Sequence, residues 1–500
     1  MDDEPQIDIA ALRRDRPLEV ALWGPQSLVG RIVTWVFVFA SACHLWLADA
    51  WQLEWLFANV VYLVGLALLC WRKAAVGWLL SAVGLAIPLF FHRDQLTQSL
   101  ILLLFASTAG FSLIFDALRQ TAPATTDSGT SGRQDPADMR LALGEWTFLS
   151  VFRGVTVVTY LLAVLHKINR EFLDPQYSCA VYGLDELFTY WNLPLDVLPM
   201  PMMQLAPWLV LLAEGGIALF YLLGRRHVAW TLMAAFHIPL TLTMAPAFVF
   251  VMLVGHAAFL RLEDVSRLRA VLARHWPILG MTAALLTTAS LLAHNNLPEW
   301  TMIPREWLLW GLLLTLSVAF PLWKKETWRP DRAPHPKPPR RTRLWPVVAV
   351  VGFFALNGLT PYLGVQYQHA GAMVSNLRID RGCWNSLVFP ESVRLTEDYI
   401  RVEETYFAEP GHIVEYEQIV LEQLWSPPQF RQMRRNWCRD EVRPFYLRGT
   451  FRGREFVIED LCAGEPLPFA DAGVFGVEIF GDYLRFQKNL ERECPQTCIH

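Results

Sequence analysis

Four ionisable side chains lie near the middle of long apolar runs of the chain: Arg153, Glu214, His237 and His256. A charge inside a membrane is costly, so such residues usually face the interior of a helix bundle and are candidates for function. Neighbouring antiparallel spans bring equal depths together. Arg153 and Glu214 could therefore form a buried ion pair, with either a packing role or a role at a site. His237 and His256 could serve a site or make a polar contact to an adjacent helix.

A lysine follows directly after one of these apolar runs, in the segment HKINREFLDPQYSCA, residues 166–180. An amine at the outer end of a span can have its pKa lowered by loss of water, and Lys167 could then act as a general base. The alternative is an interfacial lysine that anchors the helix end. The polar segment that begins here continues for nearly forty residues, which is typical of a lid or binding element. Lys167 is therefore a candidate general base, and Tyr177 lies in the polar segment that follows it.

Composition places these residues in a membrane protein. The chain has 500 residues, of which 53% are hydrophobic and 18% charged, and its mean hydropathy is +0.27. A net charge of −4 argues against nucleic acid as a partner. Neither an HExxH sequence nor paired CxxC sequences occur, so no metal site is predicted.

The expected fold is an all-α polytopic membrane bundle of about 9–11 transmembrane helices, followed by a mainly β extracytoplasmic domain. The sequence gives eleven apolar runs: 29–48, 54–71, 74–91, 96–116, 144–165, 205–224, 228–244, 247–262, 277–294, 306–323 and 345–363. The stretch 228–262 could be two spans or a re-entrant hairpin, because Pro246 divides it.

Basic residues orient these spans. With eleven spans, clusters such as Arg13 to Arg16, Arg225–Arg226 and Lys324 to Arg343 all fall on one side, which should be the cytoplasm. The N-terminus is then cytoplasmic, and residues after about 364 lie outside the membrane on the opposite side. Six of the eight cysteines fall in segments assigned to the outer side, which permits up to three disulfides of undetermined connectivity.

The chain divides into segments on this basis. These are a cytoplasmic segment 1–28, a four-helix front part 29–116, a flexible linker 117–143, a membrane core 144–323 with an outer loop 166–204, a basic Pro-rich linker 324–344, a last span and exit 345–375, and an outer domain 376–500. Within the outer domain, residues 397–407, 412–424 and 455–461 alternate as strands do, and residues 426–439 predict a short helix. Arg378 is expected to be a solvated arginine, with contact to an anionic group as the alternative, and Tyr362 and Tyr367 to belong to an interfacial aromatic belt.

Four motifs resemble a known family. HKINREFLDPQYSCA, LLAEGGIALFYLLGRR (211–226) and AAFHIPL (234–240) are similar to the horizontally transferred transmembrane (HTTM) domain of bacterial relatives of vitamin K-dependent γ-glutamyl carboxylase. NGLTPYLGVQYQHAGAMVSNLRID (357–380) resembles the segment that follows that domain.

The resemblance implies chemistry at the outer side of the bundle, with a reduced, vitamin K-like quinone, O₂ and CO₂. In the family a lysine at the outer end of a span is the base towards the hydroquinone, and that lysine corresponds to Lys167. Phe236 and His237 match a Phe-His step that could position quinone or oxygen, and Glu214 matches an acidic position. With this resemblance we predict catalytic roles for Lys167, His166 and His237, and substrate-binding roles for Glu214, Arg153 and Tyr177. The resemblance also implies that the membrane is the bacterial inner membrane. The family has Lys-Lys where this chain has His166-Lys167, and its propeptide-binding part is replaced by a shorter tail. An oxygen-dependent quinol epoxidase is therefore expected as well as a carboxylase-like enzyme.

Two other functions remain open. The bundle could be a non-enzymatic anchor that presents a protein-binding periplasmic β domain. A transporter would require inverted repeats, and none is clear in the sequence. The expected partners are membrane lipids, a lipid-soluble small molecule and, for the anchor, a periplasmic protein.

Overall fold

The structure is a computed structural model of the chain. It describes residues 28–47, 56–71, 74–91, 97–121, 136–190, 200–243, 246–261, 344–364, 370–371, 374–395, 399–407, 414–439, 445–463 and 490–496, with single positions at 264, 265, 270, 273, 274, 277, 281, 467 and 498. Two predicted spans, 277–294 and 306–323, fall almost entirely outside these residues, as do the linker 324–344 and Tyr367.

Eleven helices are described before the outer domain. They are α1 Leu28–Leu47, α2 Leu56–Cys70, α3 Ala74–Phe91, α4 Thr97–Thr121, α5 Pro136–Lys167, α6 Arg170–Leu173, α7 Cys179–Tyr190, α8 Met200–Leu222, α9 Arg226–Thr243, α10 Pro246–Ala257 and α11 Trp345–Leu359, the last extended by a 3₁₀ turn at Thr360–Leu363. α6 and α7 lie within the predicted loop 166–204, so part of that loop is helical. The stretch 228–262 contains two helices, α9 and α10.

Four stretches in these helices are long and apolar enough to cross a membrane: Gln98–Phe115, Glu145–Lys167, Met200–Leu222 and Trp345–Leu363. Four shorter apolar helices accompany them, at Val29–Leu45, Leu56–Cys70, Ala75–Leu89 and Phe248–Ala257. A helix of about 20 apolar residues matches the hydrocarbon core of a bilayer. The described helices are thus those of a membrane protein.

The chain forms two compact units. The first comprises Met1–Ile87, Gln98–Val158 and Gly215–Phe354. Its centre is aromatic, with the Phe105 and Phe152 rings stacked at 4.1 Å and Trp78 at 6.2 Å from Phe152. Small residues bring its helices together, because a Cβ on Gly255 of α10 would fall 1.8 Å from the Thr156 hydroxyl oxygen of α5. Such close approach is typical of packing between apolar helices in membranes.

The second unit comprises Pro88–Thr97, Thr159–Glu214 and Ala355–His500. Its sheet contains β1 Ile400–Phe407, β2 Gln423–Trp425, β3 Phe445–Phe451, β4 Arg454–Ile458 and β5 Leu490–Glu491, in the order β4-β3-β1-β2-β5. Every described pairing is antiparallel, with Tyr406 opposite Tyr446. α12 Val414–Glu422 and α13 Pro427–Arg439 complete the domain, and Val420 and Phe430 enter the core beside Ile400 and Leu447.

Three of the four elements predicted in this domain are present. The predicted strand 412–424 is wrong over most of its length, since Val414–Glu422 is helical and only Gln423 and Leu424 join the sheet. In a short segment, alternation and helical periodicity share many positions, and the local pattern does not distinguish them. β3 was not predicted.

Three disulfides join the six cysteines that were predicted to lie on the outer side. They are Cys179–Cys498, Cys383–Cys494 and Cys438–Cys462. The two thiols in apolar helices, Cys43 and Cys70, are free.

Candidate functional site

A buried ion pair lies at the end of α5. Lys167 Nζ donates to Glu214 Oε1 of α8 at 2.9 Å, and the two side chains are only 7% and 8% exposed. The second carboxylate oxygen, Oε2, has no hydrogen-bond partner among the described residues. A buried polar atom of this kind is an acceptor for a further polar group.

Two aromatic side chains lie near the pair. The Phe172 ring centroid is 5.9 Å from Lys167 Nζ, and the phenol of buried Tyr160 is within electrostatic range of Glu214. Apolar walls keep water away and strengthen every charge interaction between them. The site therefore combines one amine and one carboxylate in largely apolar surroundings.

His166 has hydrogen-bond partners at both ring nitrogens. Its Nε2 lies 3.2 Å from the Ala370 carbonyl oxygen, which can only accept, so Nε2 carries hydrogen. Its Nδ1 lies 3.1 Å from the Tyr362 hydroxyl, which also lies 3.1 Å from the Leu165 carbonyl oxygen. Because both ring nitrogens have partners, His166 is better suited to hold the 3₁₀ turn after α11 against the end of α5 than to exchange protons with a substrate.

Asn169 fixes the chain where α5 ends. Its side-chain oxygen accepts from Phe172 N at 2.8 Å and caps α6. Its Nδ2 donates to the carbonyls of His166 at 2.8 Å and Ser375 at 2.6 Å. An N-cap that also joins a distant segment restricts the backbone on both sides of Lys167.

The pairing expected for Glu214 was wrong. Glu214 binds Lys167, whereas Arg153 Nε donates to the Ala258 carbonyl at 2.7 Å and its guanidinium lies 5.9 Å from the Phe259 ring centroid. Both partners of Arg153 follow α10 directly. Matching depth along the spans does not specify which helices are neighbours.

His237 belongs to a separate cluster within the first unit. Its ring centroid is 6.2 Å from that of His256, whose Nδ1 lies 2.5 Å from the Tyr221 hydroxyl. All three side chains are buried. Tyr221 was not predicted, although it follows Glu214 by seven residues on α8, which places it on the same side of the helix.

Two predictions for this part of the chain were wrong, those for Arg378 and Tyr362, while the substrate-binding role of Tyr177 stays a prediction. Arg378 is fully buried rather than solvated, with Nε and Nη2 bound to the Asp380 carboxylate at 2.8 and 2.9 Å. Tyr362 is buried against His166 rather than exposed in a belt. Tyr177 is half-buried, and its carbonyl accepts from Asn376 Nδ2 at 2.8 Å. Arg378 is fixed by contacts more than 110 residues away, which local sequence does not reveal.

Two carboxylates, those of Glu171 and Asp380, interact electrostatically with Arg378. Burial raises the pKa of the Glu171 carboxyl to about 6, although the Arg378 charge and hydrogen bonds from Gln496 and Asn385 oppose the shift. For Arg378, burial lowers the pKa, but hydrogen bonds and charge from Asp380 raise it more, so that the pKa lies above its ordinary value.

No group of three or more His, Cys, Asp or Glu side chains that could hold a metal ion occurs among the described residues. No protein-family model matches the chain, and no characterised protein or solved structure compared with it does so. The geometry around Lys167 is therefore the basis on which a function can be assigned.

Proposed function

We propose that the chain is an integral membrane enzyme of the HTTM, carboxylase-like class, with Lys167 as general base towards a hydroxyl of an apolar substrate dissolved in the bilayer. The observation that carries the proposal is the buried Lys167–Glu214 pair at the end of a candidate span, whose Oε2 has no hydrogen-bond partner in the described part of the chain. An isolated structural pair would gain from having both carboxylate oxygens bound.

The two side chains divide the proton transfer between them. An amine accepts a proton only when it is neutral, and Glu214 Oε1 can take one proton from Lys167 across their 2.9 Å hydrogen bond. In apolar surroundings the neutral pair avoids much of the desolvation cost of two charges. Nζ then accepts the proton of the substrate hydroxyl, and Glu214 Oε2 provides an acceptor that orients this hydroxyl.

The donor set fits a reduced quinone. A ring hydroxyl matches the amine and the open carboxylate oxygen, and the apolar ring matches the aromatic wall of Phe172 and Tyr160. When bound, such a quinol with O₂ and CO₂ would supply the oxidation or carboxylation chemistry, and the protein would supply the base. We assign epoxidase-like or carboxylase-like activity on this basis.

The membrane arrangement supports an outward-facing site. The ends of α5 and α11 lie side by side, since Tyr362 contacts Leu165 and His166, so both helices leave the membrane on one face. The three disulfides follow these ends in the chain, and disulfides persist in oxidising compartments. We therefore propose the bacterial inner membrane, with a cytoplasmic N-terminus, about 9–11 spans and an extracytoplasmic C-terminal domain.

The test uses full-length protein in lipid nanodiscs. Quinol binding, oxygen consumption and quinone products are measured for the wild type, Lys167→Ala and Lys167→Arg. Arg170→Ala is the matched control, because Arg170 is an exposed cation three residues away. We expect turnover in the wild type and the control and at least a hundredfold loss in both Lys167 variants, with all three disulfides retained. Absence of quinol binding and oxygen consumption in the wild type would refute the proposal.

A second candidate is an anchor for a protein-binding domain. β4 lies at one edge of the sheet formed by the described strands, and its Val457 is 53% exposed. An exposed edge can bind an extended segment of another protein. This function predicts that Val457→Pro abolishes the cellular phenotype while Lys167→Ala leaves it intact.

A further inference from the structure

Two loops of the second unit expose large apolar side chains. Leu387 is 52% exposed, Val388 44% and Leu395 73%. We call these three residues the outer apolar patch. They lie in loops of the outer domain, where exposed leucines in contact with water would be unfavourable.

Backbone hydrogen bonds fix the depth of this patch relative to the candidate spans. Leu387 N donates to the Ile168 carbonyl at 3.1 Å, one residue beyond the span Glu145–Lys167. Leu395 N donates to the Leu363 carbonyl at 3.1 Å, at the last residue of the span Trp345–Leu363. The two loops are therefore joined independently to the ends of two helices that leave the membrane side by side.

Local contacts hold the loops in this position. The Ser386 hydroxyl accepts from Val388 N at 3.3 Å and Phe389 N at 3.2 Å, and Phe389 packs on Tyr362 with ring centroids 4.4 Å apart. Trp384 Nε1 donates to the Phe389 carbonyl at 2.8 Å. Leu387 and Val388 consequently remain exposed at the level of the helix ends.

We infer that the outer apolar patch inserts into the interfacial region of the outer leaflet, so that the extracytoplasmic domain is held on the bilayer by lipid contact as well as by its covalent link to α11. The depth of the patch favours lipid as the molecule that covers it. Residues level with the last residue of a span lie at the boundary of hydrocarbon and headgroups. Leucine and valine side chains have a lower free energy there than in water. The inference concerns the membrane surface and is independent of the activity of Lys167.

Photolabelling tests this contact in the unmodified full-length protein. The protein is reconstituted in nanodiscs of phosphatidylethanolamine and phosphatidylglycerol that include a lipid with a diazirine near the glycerol end of its acyl chain, and adducts are mapped by mass spectrometry. Val457 is the matched control, because it is 53% exposed and lies on β4. Leu212 of α8, which is 70% exposed within a candidate span, is the positive control. We expect adducts at Leu387, Val388, Leu395 and Leu212, at least fivefold above those at Val457.

Hydroxyl-radical oxidation from the aqueous phase provides the second measurement. We expect Val457 to be oxidised and the outer apolar patch to be protected at least fivefold relative to it. If the patch is oxidised like Val457 and unlabelled by lipid, it faces water and the inference is wrong. If it is protected from both probes while Leu212 is labelled, a protein surface or a second copy covers it, which also overturns the inference.

Discussion

Asn169 Nδ2 donates to the carbonyl of Ser375 at 2.6 Å, across 206 residues of sequence. The contact joins two of the sequence motifs, the one that contains Lys167 and the one that contains Arg378. Further contacts repeat the connection, since Asn376 Oδ1 accepts from Cys179 N at 2.7 Å and Arg170 N donates to the Asn385 carbonyl at 3.1 Å. These polar residues are organisers of the site rather than reactants.

Asn169→Ala should destabilise the second unit. The variant loses the cap of α6 and leaves the Ser375 carbonyl without this donor, at a cost of roughly 2 kcal/mol. Hydrogen exchange should be faster at residues 168–178 and 374–380 in nanodiscs. Gln176→Ala, at an exposed position nearby, is the control and should leave exchange unchanged. Equal exchange in the two variants would contradict the proposed role of Asn169.

The Lys167–Glu214 pair should give a distinctive mutant cycle. Lys167→Met leaves a buried carboxylate uncompensated and should cost about 3–5 kcal/mol, as breaking a buried pair generally does. The double variant Lys167→Met/Glu214→Leu removes both charges and should recover most of this loss, measured by unfolding in mixed micelles. Activity should be absent in both variants. Activity in the stable double variant would assign the pair to structure alone.

Glu171 should make stability depend on pH. Its pKa is raised from 4.5 to about 6 in the folded protein, so the folded state binds its proton more tightly than the unfolded state. The stability from this group is fully present below about pH 4.5 and is lost as the pH rises through 6. Relative to wild type, Glu171→Gln should gain stability over this window and show a flat difference above it. A difference that stays constant from pH 4.5 to 7 in thermal unfolding would contradict the shift.

The Cys179–Cys498 disulfide should contribute more than Cys438–Cys462. The first closes a sequence separation of 319 residues and the second one of 24. Loop entropy predicts that replacing the first pair by serine costs about 2 kcal/mol more than replacing the second. Peptide mapping without reduction should first identify all three pairs in the wild type. Alkylation of all six cysteines before reduction would contradict both the pairing and the outward orientation.

The apolar helices could be predicted from the sequence because each carries its own signal. Run length and composition located α1 to α5 and α8 to α11, with α5 starting at Pro136 rather than at the predicted 144. Six cysteines in segments assigned to an oxidising side implied the disulfides, but their connectivity depends on the tertiary fold. Lys167 was a candidate because it follows an apolar run directly.

The partners of the charged residues could not be predicted. Which helix faces Glu214 depends on helix adjacency, and so Lys167 at the end of α5 was missed as its partner while Arg153 at mid-depth was favoured. In the sequence, Arg378 cannot be distinguished from an arginine in a solvated polar loop. In the structure, its guanidinium donates to the carbonyls of Glu491 and Glu493. Both cases involve contacts between segments far apart in sequence, which carry no local pattern.

The bond between Cys179 and Cys498 also sets an order of assembly. Cys179 is twelve residues beyond Lys167, yet its partner is synthesised 319 residues later. In the proposed topology, Cys498 must be secreted and oxidised before this cross-link can close. A chain halted earlier in biogenesis could insert α5 and α8 and would still lack the covalent closure of the mature protein. Oxidation of Cys179 and Cys498 would then follow the insertion of the helices that hold the Lys167–Glu214 pair.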